Sequence, residues 1–461
     1  MHDPPTSKEA ADNEGIPHSE SESIPPSPQL SFPRNYLHVL CQFLILLALL
    51  PYHATLYSLF PSKRPRSSWT LLDTVFLQAV RRYLAMMDTA GFKISGRDVF
   101  AEPRKSALSM WLCGCRFEWF EETVDPELYK GSVADDEVGG VEMRSKVGVF
   151  SWYKKDHSGK IMGESRKLNK DLENSSPQAE DQGLVGIFFH GGAFTHTTAH
   201  PKAQSTTMPL TLFKREKRFT SMHSVEFRLL PEFPFPAQLQ DAITVYIALL
   251  KRGVKSENIV LIGDSSGANI ALSLARWIRD TLQAGKGSEE EVAERDGKSI
   301  RWKLGDPAGL ILFSPWIDPS HSFLDSTPET YRPRSNSCDY IFEAGPFRHH
   351  LVHNLLGPKR PRSFVLSPYL SPGRVDLPLN TFRNHPAKAF ISYGTGERGQ
   401  AECERLIEYL RRDGVQGVEV VKTEDTVHDV LLLGFWKRQQ REEIWRGALD
   451  FLGRIPVKAG E

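Results

Sequence analysis

Ile259-Val260-Leu261-Ile262-Gly263-Asp264-Ser265-Ser266-Gly267-Ala268 reads as a strand that turns directly into a helix. The four leading residues form a short continuous apolar run, and helical spacing follows through Ala271, Leu274, Ala275 and Ile278. Only small residues on either side of Ser265 let the strand and the helix approach this closely. The turn lifts the Ser265 hydroxyl above the sheet, beside a helix N-terminus whose partial positive charge suits an oxyanion. A Gly-x-Ser-x-Gly pattern alone is common by chance. Flanked by this strand and this helix, it is a nucleophile elbow. Asp264 is expected to hydrogen-bond beneath the turn rather than react.

About 75 residues upstream, the run Val185–Phe189 ends in His190-Gly191-Gly192-Ala193-Phe194. A strand that ends in glycines offers unobstructed backbone N–H groups to a substrate. The amides of Gly191, Gly192, Ala193 and Ser266 are the expected oxyanion hole. His190 is expected to brace this loop. His196 and His200 follow, and as Thr-rich loop residues they read as a pocket mouth rather than a metal centre.

Further apolar runs at Leu184–Phe189, Gly309–Phe313, Ala387–Ser392 and Val418–Val421 alternate with helical patterns. Continuous apolar strands of this kind imply a parallel sheet covered on both faces. A serine nucleophile in such a fold needs a histidine and an acid downstream, in that spatial role and commonly in the order Ser, acid, His. His428, just past the last strand, is the best base; His349, His350, His353 and His385 lie in a mixed segment and read as cap or surface residues. Glu397 follows the strand Ala387–Ser392, so it would stand at the carboxyl end of the sheet where sites of such folds lie. Asp318 is the rival acid. Asp429 is expected not to face the ring of its neighbour His428.

The 461 residues carry 57 basic and 57 acidic side chains, a balance that gives no electrostatic reason to expect nucleic acid. Five cysteines without paired spacing argue against a disulfide framework or a zinc site. Residues 1–35 are rich in Pro, Ser and Glu and read as a disordered tail. Residues 36–60 hold no formal charge and read as a single-pass membrane anchor, of the endoplasmic reticulum or another membrane, with an interfacial helix as the alternative. Basic residues on both sides leave the orientation open. Trp69 to Met87 repeats apolar residues at helical spacing, as packing surface or as a cover over a site. Asn174-Ser175-Ser176 is formally a glycosylation sequon.

Four features together carry a family resemblance: His190–Phe194; Phe227-Arg228-Leu229-Leu230-Pro231-Glu232 with Phe233–Ala237; Gly263–Asn269; and the pair Glu397 and His428. The chain resembles the hormone-sensitive-lipase-like branch of the α/β-hydrolases, which includes arylacetamide deacetylases, microbial carboxylesterases and fungal steryl acetyl hydrolases. The resemblance covers about residues 183–452. It implies an α/β-hydrolase fold, with an eight-stranded, mostly parallel sheet, helices on both faces and a helical cap. The implied organisation is N-terminal cap helices at 66–125 and a catalytic domain at 126–455, with insertions at 131–182, 283–304 and 319–386. The implied activity is hydrolysis of short-acyl esters of hydrophobic alcohols by a Ser265–His428–Glu397 triad, with a small-molecule ester as partner and neither metal nor cofactor. The alternative is an acyltransferase, lactonase or other tailoring enzyme using the same triad. Acyl length, alcohol and oligomeric state are not legible at this level.

Overall fold

The computed structural model describes residues 29–92, 97–103, 114–125, 128, 133, 144–154, 183–295, 298–320, 338–341, 346–385 and 387–457. The sequon at 174–176 and most of the expected tail lie outside them.

Eight strands form one sheet: β1 Cys115–Glu121, β2 Lys146–Tyr153, β3 Leu184–Phe189, β4 Phe219–Glu226, β5 Ile259–Asp264, β8 Gly309–Phe313, β9 Ala389–Gly394 and β10 Val418–Thr423. Two others, β6 Glu291–Arg295 and β7 Lys298–Trp302, pair as a separate hairpin within the expected excursion at 283–304. The sheet order is β1-β2-β4-β3-β5-β8-β9-β10, antiparallel at β1–β2 and β2–β4 and parallel elsewhere. The described helices are α1 Arg34–Leu59, α2 Leu71–Ala90, α3 Thr207–Arg215, α4 Ala237–Leu250, α5 Ser266–Gln283, α6 Pro346–Leu356, α7 Gln400–Arg412 and α8 Arg438–Gly453.

Strand alternation divides the core in two. Leu261 and Leu310 face one apolar cluster with α4, α5 and α7, while Val260 and Ile311 face another with α3 and α8. Each such side chain, fully buried, contributes about 1.5–3 kcal/mol relative to exposure. This two-sided burial is why the central strands read as unbroken apolar runs.

Two boundaries differ from the expectation. β1 lies inside the stretch read as cap helices at 66–125, and β2 lies inside the expected insertion at 131–182. Both are antiparallel edge elements, whose pairing with each other and with β4 depends on partners distant in sequence. β4 has no apolar run to mark it in the sequence. It is buried throughout, yet Thr220, Ser221, His223, Ser224 and Glu226 interrupt its apolar character.

α2 begins with a capping box, in which Thr70 accepts from the Asp73 amide and Asp73 accepts from the Thr70 amide, and ends at Gly91 with φ 71°. Trp69 fastens its start to the catalytic domain: Nε1 donates to Asp425 O at 2.7 Å and the ring meets Trp436 edge-on.

Candidate active site

The β5–α5 turn needs its glycines. A Cβ on Gly263 would lie 2.4 Å from Gly267 C, and one on Gly267 would lie 2.0 Å from Phe189 O. With that contact available, Ser265 takes φ 51°, ψ −119°, a conformation side-chain-bearing residues avoid. Its amide donates to Phe313 O at 3.0 Å and its carbonyl accepts from Trp316 N at 3.0 Å, so the end of β8 and the segment after it hold the strained turn.

His428 Nε2 lies 2.9 Å from Ser265 Oγ, and His428 Nδ1 lies 3.5 Å from Glu397 Oε2. The other Glu397 oxygen accepts from Ser314 Oγ at 2.8 Å and from the Gly394 amide at 2.7 Å, which fixes the carboxylate at the end of β9. Asp318, the rival acid, instead pairs with Arg405 at 3.0 Å and takes the Ser320 hydroxyl.

Two carboxylates at the base escaped sequence reasoning. Asp429 Oδ2 lies 3.2 Å from His428 Nε2, against the expectation that neighbours in sequence could not meet this way. The cause is backbone: Asp429 sits at φ 45°, ψ 43°, which turns its side chain back, and its amide donates to Ser314 Oγ at 3.1 Å. Asp339 comes from the mixed segment 319–386 and accepts from the amides of His428 (3.2 Å) and Arg398 (2.9 Å). Neither had a motif to mark it.

Burial disfavours the charged imidazolium, but Asp429 and then Glu397 outweigh it and hold His428 well above its ordinary pKa. Burial also raises Glu397, Asp339 and, well above the usual range, Asp264. One imidazole and three carboxyl groups therefore compete for few protons in a buried volume.

The glycine loop differs from expectation at one amide. Gly191 N–H donates to Asp264 Oδ1 at 2.9 Å, so it is committed beneath the elbow and is not free for an oxyanion. Asp264 thus has the structural role expected of it. Gly192 at φ 108° and Ala193 at φ 53° carry the loop onward, and Phe194 N–H donates to Ser266 Oγ at 3.2 Å. His190 braces the loop as expected: Nδ1 meets Gly191 O at 2.8 Å and Thr197 Oγ1 at 2.7 Å, and the ring stacks on Phe227. Burial lowers its pKa to about 4, keeping it neutral. Behind it, Arg228 forms a buried ion pair with Asp241 at 3.0 Å, and Leu230 N–H donates to Phe194 O.

A cavity of about 440 Å³ opens over Ser265. Phe76 and Tyr83 of α2, with Trp316, Tyr340, Leu432 and Phe435, make its wall largely apolar. The amphipathic segment after Trp69 therefore does cover the site. His196 pairs with Asp88 of α2 at 3.2 Å, and the His200 ring lies edge-on to Phe150. Among the described residues, no group of three or more His, Cys, Asp or Glu side chains is placed to hold a metal ion.

Residues 186–432 match the model of a family described as alpha/beta hydrolase fold. An esterase of Acinetobacter venetianus is 31% identical over 133 residues, covering 29% of this chain and 33% of that protein. An acetyl-hydrolase of Streptomyces hygroscopicus is 26% identical over 140 residues, covering 30% of this chain and 38% of its own length. Arylacetamide deacetylase-like 2 of Homo sapiens is 30% identical over 118 residues, covering 23% and 27% respectively. The chain thus spans about a third of the length of the curated relatives it matches.

Proposed function

The chain belongs to the α/β-hydrolase fold family, and from that membership we propose that it is a serine carboxylic-ester hydrolase. The observation that carries this reading is the relay Ser265 Oγ, His428 Nε2 at 2.9 Å, and Glu397 at 3.5 Å behind Nδ1. An esterase, an acetyl-hydrolase and an arylacetamide deacetylase-like protein among the relatives support the same chemistry.

In this mechanism Ser265 attacks the ester carbonyl carbon while neutral His428 takes its proton at Nε2. The carbonyl oxygen becomes an oxyanion and is held by the amides of Gly192, Ala193 and Ser266, at the positive end of α5. Collapse breaks the bond to the alcohol oxygen, which leaves with the proton from His428. Water then repeats the sequence on the acyl-serine and releases the acid. Glu397 keeps the ring in the tautomer that presents a lone pair to Ser265 and supports the imidazolium.

The substrates are short-acyl esters of hydrophobic alcohols: a cavity of about 440 Å³ with a largely apolar wall accepts such a molecule. α1 is long and apolar enough to cross a bilayer, and we assign it to membrane association.

The test is Ser265→Ala in the full chain. Turnover of p-nitrophenyl acetate should fall about 10⁴-fold with the thermal midpoint nearly unchanged. Activity within tenfold of the parent overturns the proposal.

A further inference from the structure

α1 and α2 form an antiparallel pair joined along their whole length. Tyr36 packs edge-on to Phe92 at one end and Arg82 donates to Gln42 Oε1 at 2.7 Å in the middle, while at the other end Arg64, in the link between the helices, donates to Tyr57 O at 3.1 Å and to Trp69 O at 3.0 Å. The half-buried residues of α1 are Asn35, His38, Val39, Gln42, Leu46, Leu49, Leu50, His53, Ala54, Leu56 and Tyr57, which recur mostly at three and four and mark one face. That inner face carries the polar Gln42 and His53. The opposite face is apolar and open, with Leu37 62%, Leu44 57% and Tyr52 58% exposed.

α2 is in turn fixed to the catalytic domain. Leu77 is buried, the Phe76 ring lies 4.1 Å from Phe435, and Ser68 and Trp69 both bond Asp425. If α1 stood upright through a bilayer while keeping these contacts, α2 would enter the hydrocarbon beside it. Arg81, Arg82 and Asp88 would go with it, and charges at that depth are costly. Lying flat, α1 presents only its apolar face to lipid.

Charge agrees with this orientation. No acidic residue occurs from residue 29 to 72, while Arg34, Lys63, Arg64 and Arg66 flank the apolar stretch and suit anionic headgroups. The pocket lining also continues outward: Phe76 and Tyr83 line the cavity yet are 42% and 40% exposed on the helix that carries α1.

We propose that α1 lies lengthwise in the surface of a lipid bilayer, apolar face inward, and that the pocket opens onto that surface and draws lipid-soluble esters from it. The second half rests on the ester-hydrolase reading; the first does not.

The test uses the full chain in a Cys41→Ser background, with Leu37→Cys, Leu44→Cys and Tyr52→Cys each labelled by an environment-sensitive fluorophore. The protein is bound to vesicles of phosphatidylcholine and phosphatidylserine, and quenching by acyl-chain spin labels reports depth. Equal, shallow depths at all three positions support the flat orientation. A deep position 44 between shallow positions 37 and 52, or no binding, overturns it. A second variant, Leu40→Glu/Leu44→Glu/Leu47→Glu, should lose about tenfold or more in turnover of an ester dissolved in vesicles while keeping parent turnover of soluble p-nitrophenyl acetate. Parent-level turnover of the vesicle ester overturns delivery from lipid. If the parent fails on the soluble ester too, the hydrolase reading fails while the depth result still decides orientation.

Discussion

Asp429 Oδ2 and Ser265 Oγ share one nitrogen: they lie 3.2 Å and 2.9 Å from His428 Nε2. When the ring is protonated, Nε2–H can donate to Asp429; when it is neutral, Nε2 can accept from Ser265. The acid next in sequence therefore favours the form of the base that cannot take the serine proton. Activity should rise with pH through a midpoint well above the ordinary histidine value, because the proposed mechanism works through the neutral imidazole. Asp429→Asn removes the first charge that raises His428, and the kcat/KM midpoint should fall by about one unit or more. An unchanged midpoint, measured on folded protein, contradicts this role.

Stability should run the other way. His428, Glu397, Asp339 and Asp264 are all raised, so the folded chain holds these protons more tightly than the unfolded chain. Each contribution is therefore present at low pH and lost as pH rises, the carboxyls first and His428 from pH 6.5 up through its raised value. Scanning calorimetry of the parent should show the thermal midpoint falling over this upper range while ester turnover climbs. Asp429→Asn should flatten the fall.

Glu397→Gln should lower kcat by about 10²–10⁴-fold, since the amide keeps the shape but gives up support for the imidazolium. Asp318→Asn should lower the thermal midpoint, because Arg405 keeps Gly373 O but loses its carboxylate, while kcat of the folded fraction stays close to the parent's. The opposite result in steady-state kinetics would make Asp318 the acid.

Gly267→Ala places a methyl group 2.0 Å from Phe189 O, a backbone atom that cannot turn aside. The cost should reach or exceed about 1–3 kcal/mol, read from the shift of the urea midpoint. Any folded variant should also lose turnover, because β3 carries the glycine loop and β5 the elbow. A neutral substitution would show that the end of β3 and the start of α5 do not approach this closely.

How much of this was legible depends on how local each signal was. The elbow, the glycine loop and strands such as Gly309–Phe313 were readable because close packing or two-sided burial is written into a few consecutive residues. Glu397 and His428 follow strands in the sequence, and the structure brings both to the end of the sheet that holds Ser265. Asp339 was not, since its place beneath His428 depends on a segment with no periodicity crossing the sheet end. Asp429 was misjudged because a left-handed backbone at one residue reverses a side chain. The Gly191 amide was misassigned for a similar reason: the glycine was legible, but not the Asp264 carboxylate that takes its hydrogen.

The most direct measurement is labelling of the parent with a fluorophosphonate, followed by mass spectrometry of the peptides. A single stoichiometric adduct is expected on Ser265, formed faster as pH rises and absent from Ser265→Ala. An intact, folded protein that forms no adduct, or forms it on another serine, would contradict it.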